Sequence, residues 1–95
     1  MCGWTNVTGD TLITTSPGYL NGVVVLASVA GGDVTVYDGR DATNGRKVGT
    51  FKGAANISRP IIFTPSLLCE NGVYVDVGSN ITEALVLWCP FSEYE

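Results

Sequence analysis

Carboxylates offer the widest choice of chemistry in this sequence, because it contains no histidine. Without imidazole there is no common general base, no Ser-His or Cys-His nucleophile pair and no histidine metal site. Asp38 with Asp41, or Asp76 with Glu83, could supply the two carboxyl groups of a glycosidase. The sequence sets no distance within either pair, and a domain this small lacks a second lobe to form a cleft. We therefore predict no catalytic residues and no enzyme.

Metal and redox chemistry have equally weak signals. The segment 38–45 is rich in oxygen atoms but lacks the D-x-D-x-D-G spacing of a calcium loop and contains Arg40, so it predicts a polar hairpin connection. Cys2, Cys69 and Cys89 are odd in number and widely spaced, without a C-x-x-C pair. They predict reduced, chemically quiet thiols, with Cys2 exposed. No metal and no cofactor is predicted.

The elements that must position these residues are short strands. The chain has 95 residues, 45% of them hydrophobic, which predicts one folded domain, 1–95. Apolar residues alternate with period two at 34–37 and 73–77, and turn signals recur at close intervals. Strands are predicted at about 10–16, 19–30, 33–38, 47–52, 57–64, 72–78 and 83–89. The fold class is all-β, a single small β-sandwich or jelly roll of about seven to eight antiparallel strands.

Two local features of these strands can be tested. The strands at 19–30 and 33–38 are predicted to form a hairpin through Gly31-Gly32. Val48 and Phe51 have opposite parity, so both can face inward only if a bulge occurs at Gly49.

Two segments, 22–27 and 84–89, are apolar without interruption, which is typical of strands covered on both faces. A chain this short would leave part of that surface exposed, and association would bury it. We therefore predict a homo-oligomer whose interface contains Val24, Leu26, Leu85 and Leu87.

Charge is distributed unevenly along the chain. The net charge is -4, but all five basic residues fall within 40–59, where Asp41 is the only acid. A chance cluster is one explanation; the other is a basic side that docks on an acidic neighbour. The predicted partner-binding residues are Arg40, Arg46, Lys47, Lys52 and Arg59. The acidic remainder argues against nucleic acid as a partner.

Aromatic side chains provide an alternative to assembly. Trp4, Trp88, Tyr19, Tyr37, Tyr74 and Tyr94 could form a carbohydrate-binding or receptor-binding platform. Trp88 lies in an apolar run and is expected in the core, and tyrosines are common in half-buried sheets.

Targeting signals are not evident. The first basic residue is Arg40, so there is no positively charged n-region of a signal peptide. The uncharged stretch 11–32 contains a proline and polar residues, which favours strands over a membrane span. No membrane association is expected.

Several short motifs carry a family resemblance. They are Leu20-Asn21-Gly22-Val23-Val24-Val25, Val34-Thr35-Val36-Tyr37-Asp38-Gly39-Arg40-Asp41, then Gly45, Val48 and Phe51, and Asn71-Gly72-Val73-Tyr74-Val75. Together they resemble small β-sandwich structural proteins in the virions of tailed bacteriophages, over about positions 18–89.

The resemblance implies a non-enzymatic role in the virion, after synthesis in the host cytoplasm without a signal peptide. A capsid decoration or cement protein that binds and stabilises the head shell is the first expectation. It would be an oligomer, with a trimer favoured, and its partner the major capsid protein or another virion protein. A head fibre, a neck or tail component, and a carbohydrate-binding or receptor-binding module are the alternatives.

Overall fold

The computed structural model describes residues 2–28, 32–53 and 55–90 and contains eight strands. The strands are β1 (Gly3–Val7), β2 (Thr11–Thr14), β3 (Gly18–Ala27), β4 (Asp33–Asp38), β5 (Arg46–Lys52), β6 (Ser58–Cys69), β7 (Val73–Val77) and β8 (Ile81–Pro90). Sheet A has the order β1-β8-β3-β6 and sheet B the order β2-β7-β4-β5, with every neighbouring pair antiparallel. The predicted all-β sandwich is confirmed. No helix in the described part of the chain is long and apolar enough to cross a membrane.

The core lies between the two sheets and is built from alternate residues of their strands. Side chains of one parity face inward because successive residues of a strand point to opposite faces. The fully enclosed side chains of the core cluster are mostly β-branched: Leu20, Val23, Val25, Val34, Val36, Cys69, Val73, Val75, Ala84 and Val86. Trp88 packs against this cluster, as the apolar run around it predicts.

The predicted hairpin between the strands at 19–30 and 33–38 is wrong. Strand β3 is flanked in sheet A by β8 and β6, so neither of its edges is available to β4. Strand β4 pairs instead with β5 and β7 in sheet B. The chain crosses from one sheet to the other here, and Gly31 lies outside the described residues.

The predicted bulge in β5 is confirmed. Register shifts between Val36, which pairs with Gly49, and Tyr37, which pairs with Lys47. The extra residue, Val48, packs against the core together with Phe51. The bulge thus gives both side chains the same inward direction.

Candidate interaction surface

The outer face of sheet A brings the four predicted interface residues together. Leu85 on β8 is the register partner of Val24 on β3. Leu87 lies two residues after Leu85, and Leu26 lies two residues after Val24. Because the two strands are antiparallel, Leu87 and Leu26 lie on opposite sides of the Val24–Leu85 pair. All four side chains are half-buried. Their inward neighbours belong to the core, so these four point away from it.

Five further apolar side chains extend this surface, four of them on the two edge strands of sheet A. Trp4 is 68% exposed, Ile62 61% and Leu68 40%. Tyr19 and Pro60 complete the set. We call the nine residues the apolar face: Trp4, Tyr19, Val24, Leu26, Pro60, Ile62, Leu68, Leu85 and Leu87.

Charge is almost absent from the apolar face. The four strands of sheet A contain only two charged side chains, Arg59 and Glu83, whereas β5 of sheet B alone has three. Glu83 accepts a hydrogen bond of 3.4 Å from Asn6 Nδ2 on the neighbouring strand. Soluble monomers rarely expose so wide an apolar patch, and such patches mark interaction sites.

A polar group interrupts the apolar face between Tyr19 and Val24. Asn21 is the bulged residue of β3, where register shifts between Leu20 and Gly22. Its Nδ2 donates to Cys89 Sγ at 3.0 Å, and its Oδ1 accepts from the Ser66 hydroxyl. Both polar atoms of the amide therefore have a partner, and Asn21 interrupts the apolar face without adding an unpaired polar group.

A disulfide joins Cys2 to Cys89, so the prediction of three reduced thiols is wrong. Strand β1 pairs with β8 in a register that sets Gly3 opposite Trp88, and this brings the preceding residue beside Cys89. Cysteine spacing in the sequence could not show this pairing because β1 was not predicted. Cys2 is exposed, as predicted.

Cys69 is the free thiol of the described residues, and it is buried. Burial, with a smaller contribution from the Asp38 carboxylate, raises its pKa to about 11. The thiol is protonated at neutral pH, so it is a poor nucleophile.

The five predicted partner-binding residues are exposed and lie on one side of the sandwich. Arg46, Lys47 and Lys52 are on β5, and Arg59 is on β6. These are the edge strands of the two sheets, joined by the short connection 53–57. Arg40 lies in the connection between β4 and β5. We call this set the basic side: Arg40, Arg46, Lys47, Lys52 and Arg59.

The position of the basic side also has a purely structural explanation. Edge strands expose unpaired backbone groups that can pair with another chain, and charged residues and prolines discourage this. Strand β5 contains three basic residues in seven, and β6 contains Pro60 and Pro65. Protection of the edges and docking on an acidic partner both account for the same residues.

Within the part of the chain that the structure describes, Arg46 has an ion pair that the other basic residues do not have. Its guanidinium lies 3.5 Å from Asp38 Oδ2, and the Asp38 side chain is only 3% exposed. Asp38 Oδ1 accepts a hydrogen bond of 2.8 Å from the Asn71 backbone N–H. The carboxylate thereby ties the end of the β4–β5 hairpin to the turn before β7.

An open, polar pocket of about 440 Å³ lies beside this carboxylate. It is lined by Thr15, Asp38, Gly39, Arg40, Asp41, Asn44, Glu70 and Asn71. Asp41 accepts a 2.7 Å hydrogen bond from the Asn44 backbone N–H, and its carbonyl accepts another from Gly45. Among the residues that the structure describes, no group of carboxylates and thiols is placed to hold a metal ion.

Of the two carboxylate pairs considered from the sequence, the structure brings one into the same pocket and places the other on different sheets. Asp38 and Asp41 line the same pocket, but both are engaged in local hydrogen bonds. Asp76 and Glu83 belong to different sheets, so they do not form a pair. Partial burial, and then the nearby carboxylates of Asp10 and Asp33, raise the pKa of Asp76.

The outer face of sheet B has an aromatic pair in place of an apolar surface. Tyr37 and Tyr74 are register partners on β4 and β7, with ring centroids 6.3 Å apart and ring planes at 50°. Lys47 and Leu12 flank them on the outer strands. Of the other candidate aromatics, Trp4 and Tyr19 lie on the apolar face, and Tyr94 lies outside the described residues.

Comparisons of the chain with protein-family models, with curated proteins and with solved structures find no match. The functional argument therefore rests on the surfaces described above.

Proposed function

We propose that the protein is a non-enzymatic structural protein of a tailed-bacteriophage virion, a capsid decoration protein that binds and stabilises the head shell as an oligomer. The observation that carries the proposal is the apolar face. Nine apolar side chains on one sheet surface, three of them at least 40% exposed, form a patch that association would bury. The short motifs that resemble virion β-sandwich proteins are the reason for proposing a phage virion as the place where the protein acts.

The disulfide supports a place of action outside the reducing interior of a cell. Disulfides are rare in cytosolic proteins and persist in oxidising surroundings. A virion protein is made in the host cytoplasm but acts in a particle that leaves the cell. The Cys2–Cys89 bond would then form after lysis, when the particle meets oxidising conditions.

The location can be tested on virions purified from the parental phage. We expect mass spectrometry to find the protein in many copies per particle, and an antibody against it to label the head in electron micrographs. Antibody label confined to the neck, tail or fibres would show that the protein belongs to those structures and would contradict a role on the head shell. Absence from purified virions would contradict the virion role altogether.

The basic side provides the second contact of the proposal, with acidic surface on the shell. Changing Lys47 and Lys52 together to glutamate should slow binding to heads that lack the protein, because opposed charges mainly increase the association rate. The free energy of unfolding should change by less than about 1 kcal/mol, since both side chains are exposed and on an edge strand. Arg46 is left unchanged because it contacts buried Asp38.

Binding rates measured at low and high salt check this prediction. Wild-type association should slow with added salt, whereas the double variant should be slow at both concentrations. Replacement of both lysines by arginine is the matched control and should retain the wild-type rate. Equal rates for the wild type and the glutamate variant at low salt would leave edge protection as the explanation of the basic side.

Carbohydrate recognition is the second candidate function, and the Tyr37–Tyr74 pair is the observation that favours it. Aromatic rings stack on sugar rings, and the carboxylate of Asp76 lies on a neighbouring position of the same sheet face. Tyr74→Ala should lower the affinity for a bound oligosaccharide at least about tenfold. Titration calorimetry on a ligand first found with a glycan array measures it.

Tyr19→Ala serves as the control for carbohydrate binding, because Tyr19 lies on the apolar face of the other sheet. It should leave the affinity unchanged. A wild-type protein that binds no glycan on the array would reject this second function.

A further inference from the structure

We infer that the apolar face pairs with the same face of a second copy of this chain, around a two-fold axis that runs parallel to the strands between β8 and β3. The inference rests on the proposed function insofar as both require the apolar face to be covered. The inference adds which molecule covers the apolar face, a second copy of this chain, and how the two copies are arranged.

Area is the first argument for a pairing of whole faces. The two larger dimensions of the molecule are 37 and 27 Å, which bound a face of at most roughly 1,000 Å², so the about 800 Å² per partner of a standard interface requires most of a face. The exposed apolar side chains occur on both edge strands of sheet A, Trp4 on β1, and Ile62 and Leu68 on β6. A partner that covered only one edge would leave large apolar side chains in water.

Charge is the second argument, and it favours sheet A over sheet B as the face through which two copies meet. The chain carries a net charge of -4, so two copies repel each other unless they meet on a neutral surface. The strands of sheet A contain one acid and one base, and the four sheet B strands carry three acids and three bases. Stacking through sheet A buries few charges and leaves sheet B in solvent.

The order of strands makes the apolar face self-complementary. One row of side chains crosses the sheet as Trp4, Leu87, Gly22 and Ile62, with β8 and β3 in the middle. A two-fold axis parallel to the strands exchanges the two sides of the row. Trp4 of one copy then lies over Ile62 of the partner subunit, and the reciprocal contact is made on the other side.

The neighbouring row follows the same rule. It runs through Asn6, Leu85, Val24 and Pro60. The axis sets Leu85 over Val24 of the partner subunit at the centre of the interface, where apolar contacts contribute most. Two sheets that stack in this way lie about 10 Å apart with their strands nearly aligned, the geometry of a β-sandwich core.

This geometry gives a two-fold symmetric dimer, which differs from the trimer that the family resemblance favours. A trimer requires two different patches on each copy, because its contacts run head to tail. A single continuous face with its largest exposed side chains on opposite edges fits the two-fold arrangement.

Sedimentation velocity on the purified, oxidised protein tests the inference. We expect a dimer in the micromolar range and a blue shift of tryptophan emission on association, because Trp4 becomes buried whereas Trp88 is already packed on the core. Ile62→Lys should weaken association at least about tenfold. Leu12→Lys is the matched control: Leu12 is 40% exposed on sheet B, and its variant should dimerise normally.

A charge pair tests the geometry itself. Trp4→Lys should dissociate the dimer, and adding Ile62→Glu should restore it, since the two positions meet only between copies. Trp4→Lys with Leu12→Glu should stay monomeric. Thermal unfolding by circular dichroism shows that each variant is folded.

Three results would overturn the inference: a folded wild-type monomer at high micromolar concentration, a trimer, or equal dissociation by Leu12→Lys. Its failure is distinguishable from that of the proposed function. A monomer that still binds phage heads removes only the pairing, and a dimer that is absent from virions removes only the virion role.

Discussion

Replacing Cys2 with serine is expected to lower the free energy of unfolding by about 4 kcal/mol. The disulfide to Cys89 spans 87 residues of sequence, so it closes nearly the whole chain into one loop. A cross-link over so long a loop removes much of the conformational entropy of the unfolded chain. It also fastens β1, an edge strand that pairs with β8 alone among the described strands.

Urea unfolding under oxidising and reducing conditions measures this effect. Reduced wild type and Cys2→Ser should have the same midpoint, and reductant should not change the variant further. Amides of β1 should exchange faster in the variant, while those of β3, at the centre of sheet A, stay protected. Equal stability of Cys2→Ser and oxidised wild type would show that the bond does not contribute.

The second large effect is expected from Asp38→Ala, at about 2 kcal/mol. The carboxylate is 3% exposed and accepts the Asn71 N–H on one oxygen while the other lies 3.5 Å from Arg46. Its loss leaves a backbone donor unpaired in the turn before β7. That turn has little room to adjust, because Gly72 has a φ of 122° and a Cβ at its position would collide with the Thr14 carbonyl.

A short series of variants separates the two contacts of Asp38. Asp38→Asn keeps an acceptor for the Asn71 N–H and should lose about half as much stability as the alanine variant. Arg46→Ala should cost less than about 1 kcal/mol, because the arginine side chain is 79% exposed and water replaces its contact. A loss for Arg46→Ala as large as that for Asp38→Ala would make the ion pair the main contribution.

Periodicity in the sequence predicts the strands in which apolar and polar residues alternate, such as β4, and misses β1, in which they do not. The bounds predicted for β4, 33–38, coincide with the observed strand, because Val34 and Val36 face inward between polar neighbours. In β1 only Val7 is buried, and Trp4 points into solvent. Its strand character depends on pairing with β8, which is distant in the sequence. The Cys2–Cys89 disulfide was missed for the same reason.

The candidate surfaces could be predicted in part. An apolar run identifies Val24 and Leu85 as candidates, but only the register brings Trp4 and Ile62 beside them. The basic residues cluster in sequence, and they remain together in space because β5 and β6 are successive edge strands. Sequence spacing carries no information about which strands become edges.

The pairing of β1 with β8 also determines when sheet A can be completed during synthesis. Strand β8 lies between β1 and β3 and hydrogen-bonds to both, so the sheet is not closed until residues 81–90 have left the ribosome. Until then β1 has no strand partner and one edge of β3 is open. Such non-local pairings fold slowly and expose unpaired edges to other nascent chains. The basic residues and prolines of β5 and β6 are synthesised before β8. These residues therefore discourage pairing of the β5 and β6 edges with other chains before β8 is available to complete sheet A.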